Sequence, residues 1–353
     1  MAGCKRQGLL GAVPDRGRGG RGDEVLREEG RAVNVLAVDG GGVRGVIPAI
    51  LLQELEQRLG GALHQHFDLI AGTSTGGLIA LGLSYPLRDG RPLTAGELLE
   101  VYRDNGNVIF PQHWWNGVRN LFAPKYSGAG LTRVLARLFQ QARLAEALTP
   151  VLIACYDLAR QVPYFFKSES AKVQPQQNWP LVSVALATSA APTYLPAFAT
   201  RGPDGQRYVF ADGGLYANNP AVAAYAEAAR RSPQASVIHL VSIGTGNARD
   251  DLRARDAIHW GLLGWARQIA PVMMDGVSEA DDYEATWLCE RGQDRFWRLQ
   301  PELKPEESAM DNPAAIPALC ATAREYAQQQ VAVLDEIAAA LLGRDAASSA
   351  APE

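Results

Sequence analysis

The sequence predicts an α/β fold built on a mostly parallel β-sheet with helices on both faces. Short apolar runs rich in β-branched residues alternate with segments of helical spacing, which is the pattern of parallel strands joined by helices. Glycine-rich stretches follow several of the apolar runs, where a strand would pass into a helix or a turn. Apolar residues make up 47% of the 353 residues and charged residues 20%, so the chain can bury a large core.

The apolar runs and the helical patterns define the order of the elements. The predicted strands are Val33–Val38, Phe67–Ala71, Val151–Tyr156, Tyr164–Phe166, Tyr208–Ala211 and Val237–Ile243. The predicted helices are one spaced by Ile47, Leu51, Leu55 and Leu59, one of small residues from about Gly77, one over Ala221–Arg230, and one or two closing helices over 313–342. Strands and helices alternate without an internal repeat or a linker, which predicts one domain.

The two ends of the chain differ in composition from the part between them. Residues 1–30 are rich in Gly and Arg and then in charge, which predicts a disordered leader; a basic arm that touches anionic lipid or nucleic acid is the alternative. Residues 344–353 predict a flexible tail, and residues 31–343 a single domain. The net charge of -4 argues against a dedicated nucleic-acid binder, because such proteins carry a basic excess.

The cysteines and the hydropathy pattern bear on the compartment. The four cysteines lie far apart with no CxxC pair and no accompanying His spacing, so we expect neither a zinc site nor a disulfide framework. No apolar run approaches the roughly 18–20 residues of a membrane-spanning helix, and the N-terminus lacks the apolar stretch of a signal peptide. We therefore expect a soluble, cytoplasmic protein.

The strongest local signal is the G-x-S-x-G pattern of Gly72, Thr73, Ser74, Thr75 and Gly76, between a predicted strand and a predicted helix. A sharp strand-to-helix turn exposes the hydroxyl of its serine, and flanking glycines leave room for the close-packed backbone. The N-terminus of the following helix points N–H groups towards negative charge that forms nearby. The pattern indicates a serine nucleophile; a glycine-rich turn that only packs, or that binds phosphate, is the alternative.

A second glycine-rich segment, Asp39–Gly45, also stands between a predicted strand and a predicted helix. Gly40, Gly42 and Gly45 match G-x-G-x-x-G, which suggests a nucleotide-binding loop, but no acidic residue ends a second strand about 20 residues further on. A loop without side chains would equally present backbone N–H groups as an oxyanion hole. Because turns at the same end of neighbouring parallel strands face one crevice, we favour the oxyanion hole.

The third signal is the acidic turn Asp212-Gly213-Gly214, directly after the predicted strand Tyr208–Ala211. A carboxylate at the C-terminal end of a strand would lie at the same edge of the sheet as Ser74. A serine hydroxyl is a weak nucleophile at neutral pH and needs a base within about 2.6–3.2 Å. Asp212 could be this base directly or could orient a histidine; a turn aspartate that bonds its own backbone is the alternative without function.

The five histidines decide whether a third residue joins Ser74 and Asp212. His239 follows them in the Ser, Asp, His order of the α/β-hydrolases, but it stands in the middle of an apolar run, where a structural role is commoner. The others precede the serine strand or adjoin tryptophans: His64, His66, His113 and His259. We therefore favour a Ser74–Asp212 dyad over a triad with His239, and the residues alone leave both open.

These segments resemble the patatin-like phospholipase family over about residues 33–246. The stretches that carry the resemblance are VDGGGVRG (38–45), FDLIAGTSTGG (67–77), ATSAAPTYLPA (187–197), DGGLYANNP (212–220) and SIGTG (242–246). Several motifs in the correct order make the resemblance specific. It implies a three-layer α/β/α sandwich with a Ser–Asp dyad and without a metal, another cofactor or a catalytic histidine.

The resemblance also implies roles for individual residues. Ser74 would be the nucleophile and Asp212 the base. The oxyanion hole would involve Gly40, Gly41, Gly42 and Arg44. The residues that support these groups would be Gly72, Thr75, Gly76, Gly213 and Gly214. Many members of the family have Asp-Gly-Ala where this chain has Asp-Gly-Gly, and both variants occur.

The activity implied is acyl transfer that releases fatty acids from membrane phospholipids through an acyl-enzyme. Without an imidazole, Asp212 would work best if burial raises its pKa. We expect peripheral contact with the membrane. Two Trp-rich segments, Phe110–Phe122 and Trp260–Met274, are candidates for an interfacial belt or a lid, with core packing as the alternative.

Further partners follow from the resemblance. The stretches DGGLYANNP and FDLIAGTSTGG look like those of bacterial patatin effectors of anti-phage defence, which a cyclic nucleotide switches on, and housekeeping lipases share them. A cyclic-nucleotide activator and a homo-oligomer are therefore expectations to test, whereas nucleic acid is not expected. The alternatives are a Ser/Asp/His esterase on other esters, a nucleotide-binding protein that uses Gly40–Gly45, and an inactive scaffold of the same fold.

Overall fold

The computed structural model describes four stretches of the chain: 31–111, 124–247, 257–290 and 293–343. The predicted leader and tail, 1–30 and 344–353, lie outside the described residues. Within these stretches eight strands form one sheet: β1 (Ala32–Val38), β2 (Leu69–Thr73), β3 (Val151–Asp157), β4 (Val162–Lys167), β5 (Phe198–Arg201), β6 (Arg207–Asp212), β7 (Val237–Ile243) and β8 (Arg295–Leu299). The strand order is β5-β6-β3-β2-β1-β7-β8, and β4 also pairs with β3.

The middle of the sheet is parallel and one side is antiparallel. Strands β3, β2, β1, β7 and β8 pair in parallel in that order, whereas β4, β5 and β6 join by antiparallel pairing. The predicted mostly parallel sheet is thus confirmed. The sequence does not predict β5 and β8, because β5 has only four residues with every second one exposed, and β8 carries Arg295 and Arg298 among its apolar residues.

Helices cover both faces of the sheet. Their bounds are α1 (Val46–Leu59), α2 (Thr75–Ser84), α3 (Ala95–Ile109), α4 (Ala129–Phe139), α5 (Ser168–Val173), α6 (Leu181–Thr188), α7 (Ala221–Arg231), α8 (Leu262–Glu290), α9 (Ile316–Gln329) and α10 (Val331–Leu341). Because side chains alternate along a strand, Leu36 and Val38 of β1 pack in the core with α1, whereas Val35 and Ala37 pack with α7 and α8. The α/β/α prediction is confirmed, and the predicted closing segment forms two helices, α9 and α10.

None of the helices in the described stretches combines the length and the apolarity that crossing a bilayer requires.

Strand β3 brings the ends of β2 and β6 together. Strand β4 pairs along one edge of β3, so the other edge is shared by β2, which pairs with 151–154, and by β6, which pairs with 155–157. The C-terminal end of an antiparallel strand normally lies beside the N-terminal end of its neighbour. Here β2 runs parallel to β3 and β6 antiparallel to it, so their last residues, Thr73 and Asp212, point at each other along the shared edge.

Candidate active site

Ser74 stands between β2 and α2 with a backbone φ of 53° and ψ of -122°. A positive φ is unfavourable for a residue with a side chain, and such strain clusters at functional sites. The flanking glycines permit the turn: a Cβ on Gly72 would lie 2.2 Å from the Gly76 carbonyl oxygen, and one on Gly76 would lie 2.1 Å from that of Val38. The Ser74 amide donates to Thr188 Oγ1 at 2.9 Å. The strained strand-to-helix turn is therefore present.

Asp212 ends β6 and is almost fully buried. Its Oδ1 accepts a hydrogen bond from the Gly214 amide at 2.8 Å. Burial raises the pKa of the carboxyl from 3.8 to about 7, and hydrogen bonding by the Ser74 hydroxyl and the Gly214 amide opposes that rise. Oδ2 is buried and receives no hydrogen bond of full geometry from the described residues, although the Ser74 hydroxyl is close enough to lower the pKa of the carboxyl. Such loose pairs are common before a substrate binds.

The glycine loop after β1 faces Ser74. A Cβ on Gly40 would lie 3.2 Å from the Ser74 Cβ and 2.4 Å from Asn218 Oδ1, so only glycine allows this close approach. The Gly40 amide donates to the Asn218 carbonyl at 3.0 Å, whereas the amides of Gly41 and Gly42 donate to no acceptor among the described residues. The Gly41 and Gly42 amides could therefore donate to an oxyanion, whereas the Gly40 amide already has an acceptor. The position against Ser74 fits an oxyanion hole better than a nucleotide-binding loop.

Arg44 lies in the short 3-10 turn Gly42–Gly45 that follows the loop, and it is buried. Its amide donates to the Gly41 carbonyl at 3.2 Å, so the turn itself uses that donor. Burial raises the pKa of Asp39, and the positive charge of the Arg44 guanidinium, like that of Arg298, opposes the rise. Arg44 is thus a charged neighbour of the loop rather than an amide donor to it.

A narrow pocket of about 60 Å³ includes Ser74, Gly41 and Gly42 in its lining. The rest of its wall is mainly apolar and comes from several elements, with Leu78, Ile109, Phe110, Leu131, Leu195, Met274 and Met310. Ser74, Gly41 and Gly42 therefore border one mainly apolar space. A linear apolar group with a carbonyl at its end could occupy this space with the carbonyl beside Ser74.

The described histidines lie away from this pair. His239 is in the middle of β7, where its Nδ1 lies 3.0 Å from Asn34 Oδ1 and its ring packs edge-on against Trp297, with 5.8 Å between the centroids. The other described histidines stand before β2 or on the surface: His64, His66 and His259. His113 lies outside the described residues. The triad alternative thus has no support among the histidines that the structure describes.

Several residues that hold the site in place are far from it in the sequence, and no local pattern identifies them. They are Thr188, Asn218, Thr245 and Arg298. Thr188 Oγ1 donates to the Ala154 carbonyl at 2.6 Å while it accepts from the serine amide. Thr245 Oγ1 donates to the Gly40 carbonyl at 2.7 Å. The first three fall within stretches of the family resemblance, which could have identified them, whereas Arg298 falls in none.

The two Trp-rich segments have different outcomes. Most of Phe110–Phe122 lies outside the described residues, although Phe110 itself lines the pocket. Trp260–Met274 includes the start of α8, on which several apolar side chains are 41% to 43% exposed: Trp265, Ile269, Val272 and Met273. Met274 is buried and lines the pocket. One face of α8 therefore forms a wall of the pocket while another is open to solvent.

Comparison with known proteins adds an independent line of evidence. The family model described as patatin-like phospholipase matches residues 36–225. Patatin-like protein 2 of Arabidopsis thaliana is 37% identical over 267 residues, which cover 67% of this chain and 66% of that protein. Patatin-like protein 4 of A. thaliana is 31% identical over 319 residues, which cover 80% of each. A relative from Solanum tuberosum named "Probable inactive patatin-3-Kuras 1" is 30% identical over 299 residues, which cover 77% of this chain and 79% of that protein.

The crystal structure of VipD from Legionella pneumophila matches with a TM-score of 0.34 and 12% identity, over 85% of this chain and 67% of VipD. The chain spans just under two thirds of the length of the first Arabidopsis relative. The family model covers more than half of the chain, and each of the three curated relatives is at least 30% identical. The chain therefore belongs to the patatin-like phospholipase family.

Proposed function

We propose that this chain is a lipid acyl hydrolase that releases fatty acids from membrane phospholipids, with Ser74 as nucleophile and Asp212 as base. The observation that carries the proposal is a serine at positive φ beside a buried carboxyl whose pKa desolvation raises to about 7. A base is most effective when its pKa lies near the working pH, so this carboxyl accepts the hydroxyl proton better than an ordinary aspartate would. Membership of the family supports lipid hydrolase chemistry.

The reaction balances with these two side chains and water. Asp212 takes the hydroxyl proton while Ser74 Oγ forms a bond to the ester carbonyl carbon. The tetrahedral intermediate then collapses, the bond to the alcohol oxygen breaks, and Asp212 returns the proton to that oxygen. Water, deprotonated by Asp212, attacks the acyl carbon, and Ser74 Oγ recovers the proton as the fatty acid leaves.

The negative oxygen of the intermediate needs donors that are already in place. The amides of Gly41 and Gly42 have no other acceptor among the described residues and line the same pocket as Ser74. The N-terminus of α2 adds a positive dipole end directly after the nucleophile. Loss of one oxyanion donor typically raises the barrier by about 2.7–4 kcal/mol. The apolar remainder of the pocket matches an acyl chain.

The exposed face of α8 fits the expected contact with a membrane. Its apolar side chains recur at helical spacing and form one stripe: Trp265, Ile269, Val272, Met273, Tyr283 and Trp287. Aromatic side chains on such a stripe favour the boundary between water and lipid. Met274 lines the pocket from the opposite side of the same helix, so a lipid surface on the stripe would be separated from the acyl site by the width of α8. Replacing Trp265 and Ile269 with Ser should weaken sedimentation with vesicles; Leu148→Ser, at an exposed residue elsewhere, is the control.

Fatty-acid release from phosphatidylcholine vesicles, measured by mass spectrometry, tests the proposal. Wild type should release fatty acid, and Ser74→Ala and Asp212→Ala should abolish the release. His239→Ala is the matched control, because His239 lies in β7 away from the pair, and it should hydrolyse normally per folded molecule. Loss of activity in a folded His239→Ala protein would restore the triad.

A serine-directed fluorophosphonate separates the alternatives, because only an activated serine reacts with it. Labelling of Ser74 without release from vesicles would point to esters other than phospholipids. Absence of both would indicate an inactive scaffold. Activation by a cyclic nucleotide stays a prediction: release that depends on one member of a cyclic-dinucleotide panel would support a regulated effector, and equal release without any would argue against it.

A further inference from the structure

A buried ion pair lies directly behind the glycine loop. Arg298, on edge strand β8, donates two parallel hydrogen bonds to Asp39, from Nη1 to Oδ1 at 2.9 Å and from Nη2 to Oδ2 at 2.6 Å. The Arg298 side chain is 13% exposed and that of Asp39 2%. Nη1 also donates to Ser242 Oγ, on the neighbouring strand β7, at 2.9 Å. The guanidinium therefore ties together the C-terminal ends of β1, β7 and β8.

The pair fixes the point at which the glycine loop leaves β1, because Asp39 is the residue before Gly40. The Asp39 amide also donates to the Ile243 carbonyl at 3.0 Å. At the far end of the loop the Val43 amide donates to the Met310 carbonyl at 2.8 Å. Three glycines lie between these ties. Gly40 is itself held by the Asn218 carbonyl and the Thr245 hydroxyl. The direction of the Gly41 and Gly42 amides therefore depends on how firmly the ends of the loop are held.

We propose that Arg298 is a positioning residue for the hydrolysis: through Asp39 it holds the oxyanion loop in place, and it cancels the charge of that carboxylate. The inference rests on the proposed function, since it requires Gly41 and Gly42 to stabilise the oxyanion. Arg298 lies outside the residues that the family model matches, 36–225, and its role follows from its contacts alone.

The charge matters as well as the position. An ionised Asp39 without its cation would stand close to the amides that hold a negative oxygen, and its repulsion would raise the energy of the transition state. Among the described residues, the other charged groups that act on this carboxyl and its partner are Arg44, Glu279, Asp281 and Asp282, with Asp282 Oδ1 3.7 Å from Arg298 Nε. Without Arg298, Arg44 would be the one positive charge among these groups that offsets the negative charge of the carboxylates. Both effects act on developing charge rather than on the bound acyl chain, so they lower kcat and leave KM unchanged.

The test compares variants on a soluble ester, p-nitrophenyl butyrate, with active sites counted by fluorophosphonate labelling to completion. Arg298→Met should lower kcat per labelled site by about 100-fold, with KM within about threefold of wild type. The kcat of Arg298→Lys should lie between those of wild type and Arg298→Met, because a lysine ammonium keeps the positive charge but cannot form the bidentate pair with Asp39. The double variant with Asp39→Asn should be no slower than Arg298→Met, because it also removes the unpaired carboxylate.

Lys167→Met is the matched control, because it breaks another partly buried ion pair, with Glu227, away from the loop. It should lower stability and leave kcat per labelled site unchanged. A kcat for Arg298→Met within about threefold of wild type, or a loss confined to KM or to the labelled fraction, would overturn the inference. If Arg298→Met does not fold, Arg298→Lys and Asp39→Asn decide by the same criterion. A wild type that neither labels nor hydrolyses the ester would instead overturn the proposed function.

Discussion

Two buried carboxyls, Asp39 and Asp212, stand at the C-terminal ends of β1 and β6, next to the glycine loop and to Ser74, and they differ in their partners. Burial is the largest influence on both and raises the pKa of each. Asp39 meets the guanidinium of Arg298, which opposes the rise, in the two-pronged geometry of an ionised pair. Among the described residues, Asp212 meets neutral donors, the Gly214 amide and the Ser74 hydroxyl, and burial raises its pKa to about 7. The same burial thus gives a fixed anchor with a cation and a titratable base without one.

The largest expected effect is on the rate. Asp212→Asn removes the proposed proton acceptor and should lower kcat by an amount towards the upper end of the roughly 10²–10⁴-fold that general base catalysis contributes. Asp39→Asn removes only the group that anchors the glycine loop, so it should lower kcat by about 100-fold. Single-turnover hydrolysis of p-nitrophenyl butyrate by both variants measures the difference. Equal losses would contradict the division of roles between the two carboxyls.

The pH dependence should follow Asp212. The base must be ionised, so kcat/KM should rise about tenfold per pH unit on the acid side and level off above about pH 7, where this carboxyl titrates. Asp39→Asn should keep that inflection, since the proton belongs to the other carboxyl. An inflection near pH 4, the ordinary range of an aspartate at about 3.9, would mean that burial does not raise the pKa of the base.

Stability should change in opposite directions at the two positions. Because the pKa of Asp212 is raised from 3.8 to about 7, the folded state binds a proton that the unfolded state releases, so stability falls as pH rises through this window. Asp212→Asn should therefore raise the free energy of unfolding by up to about 4 kcal/mol at pH 8, and by less at pH 5. Asp39→Asn should lower it by about 3–5 kcal/mol, because Arg298 stays buried without its carboxylate. Urea unfolding at both pH values gives the signs, and a loss at both positions would refute the contrast.

The groups of the candidate site could be located from the sequence because each of them stands in a short segment with a local requirement. A serine at positive φ between a strand and a helix needs small neighbours, and Gly72 and Gly76 supply them. Asp212 likewise stands at the end of an apolar run and before two glycines. Such signals lie within a few consecutive residues, so they can be recognised without knowledge of the fold.

The geometry could not be predicted in the same way. The position of β6 depends on which part of β3 is left unpaired: β4 occupies one edge of β3 and β2 the first part of the other, so β6 pairs with 155–157. Arg298 stands 259 residues from Asp39 in the sequence. Its strand, β8, contains two arginines, so it lacks the run of apolar residues that would predict a strand. Contacts that join distant segments leave no periodicity in either one, so only the assembled sheet shows them.

The smallest expected effect concerns the glycine whose amide bonds Asp212. A Cβ on Gly214 would come within 2.6 Å of Met274 Cε, the free end of a flexible side chain, whereas one on Gly76 would meet the rigid Val38 carbonyl oxygen at 2.1 Å. Gly214→Ala should therefore keep kcat within about threefold of wild type, whereas Gly76→Ala should lower the free energy of unfolding by about 1–3 kcal/mol through overpacking. Thermal unfolding and ester hydrolysis of the two variants check this. A large loss of kcat in a stable Gly214→Ala protein would mean that the base depends on the shape of its surroundings as well as on the amide, since alanine keeps the amide and changes only the space that Met274 fills.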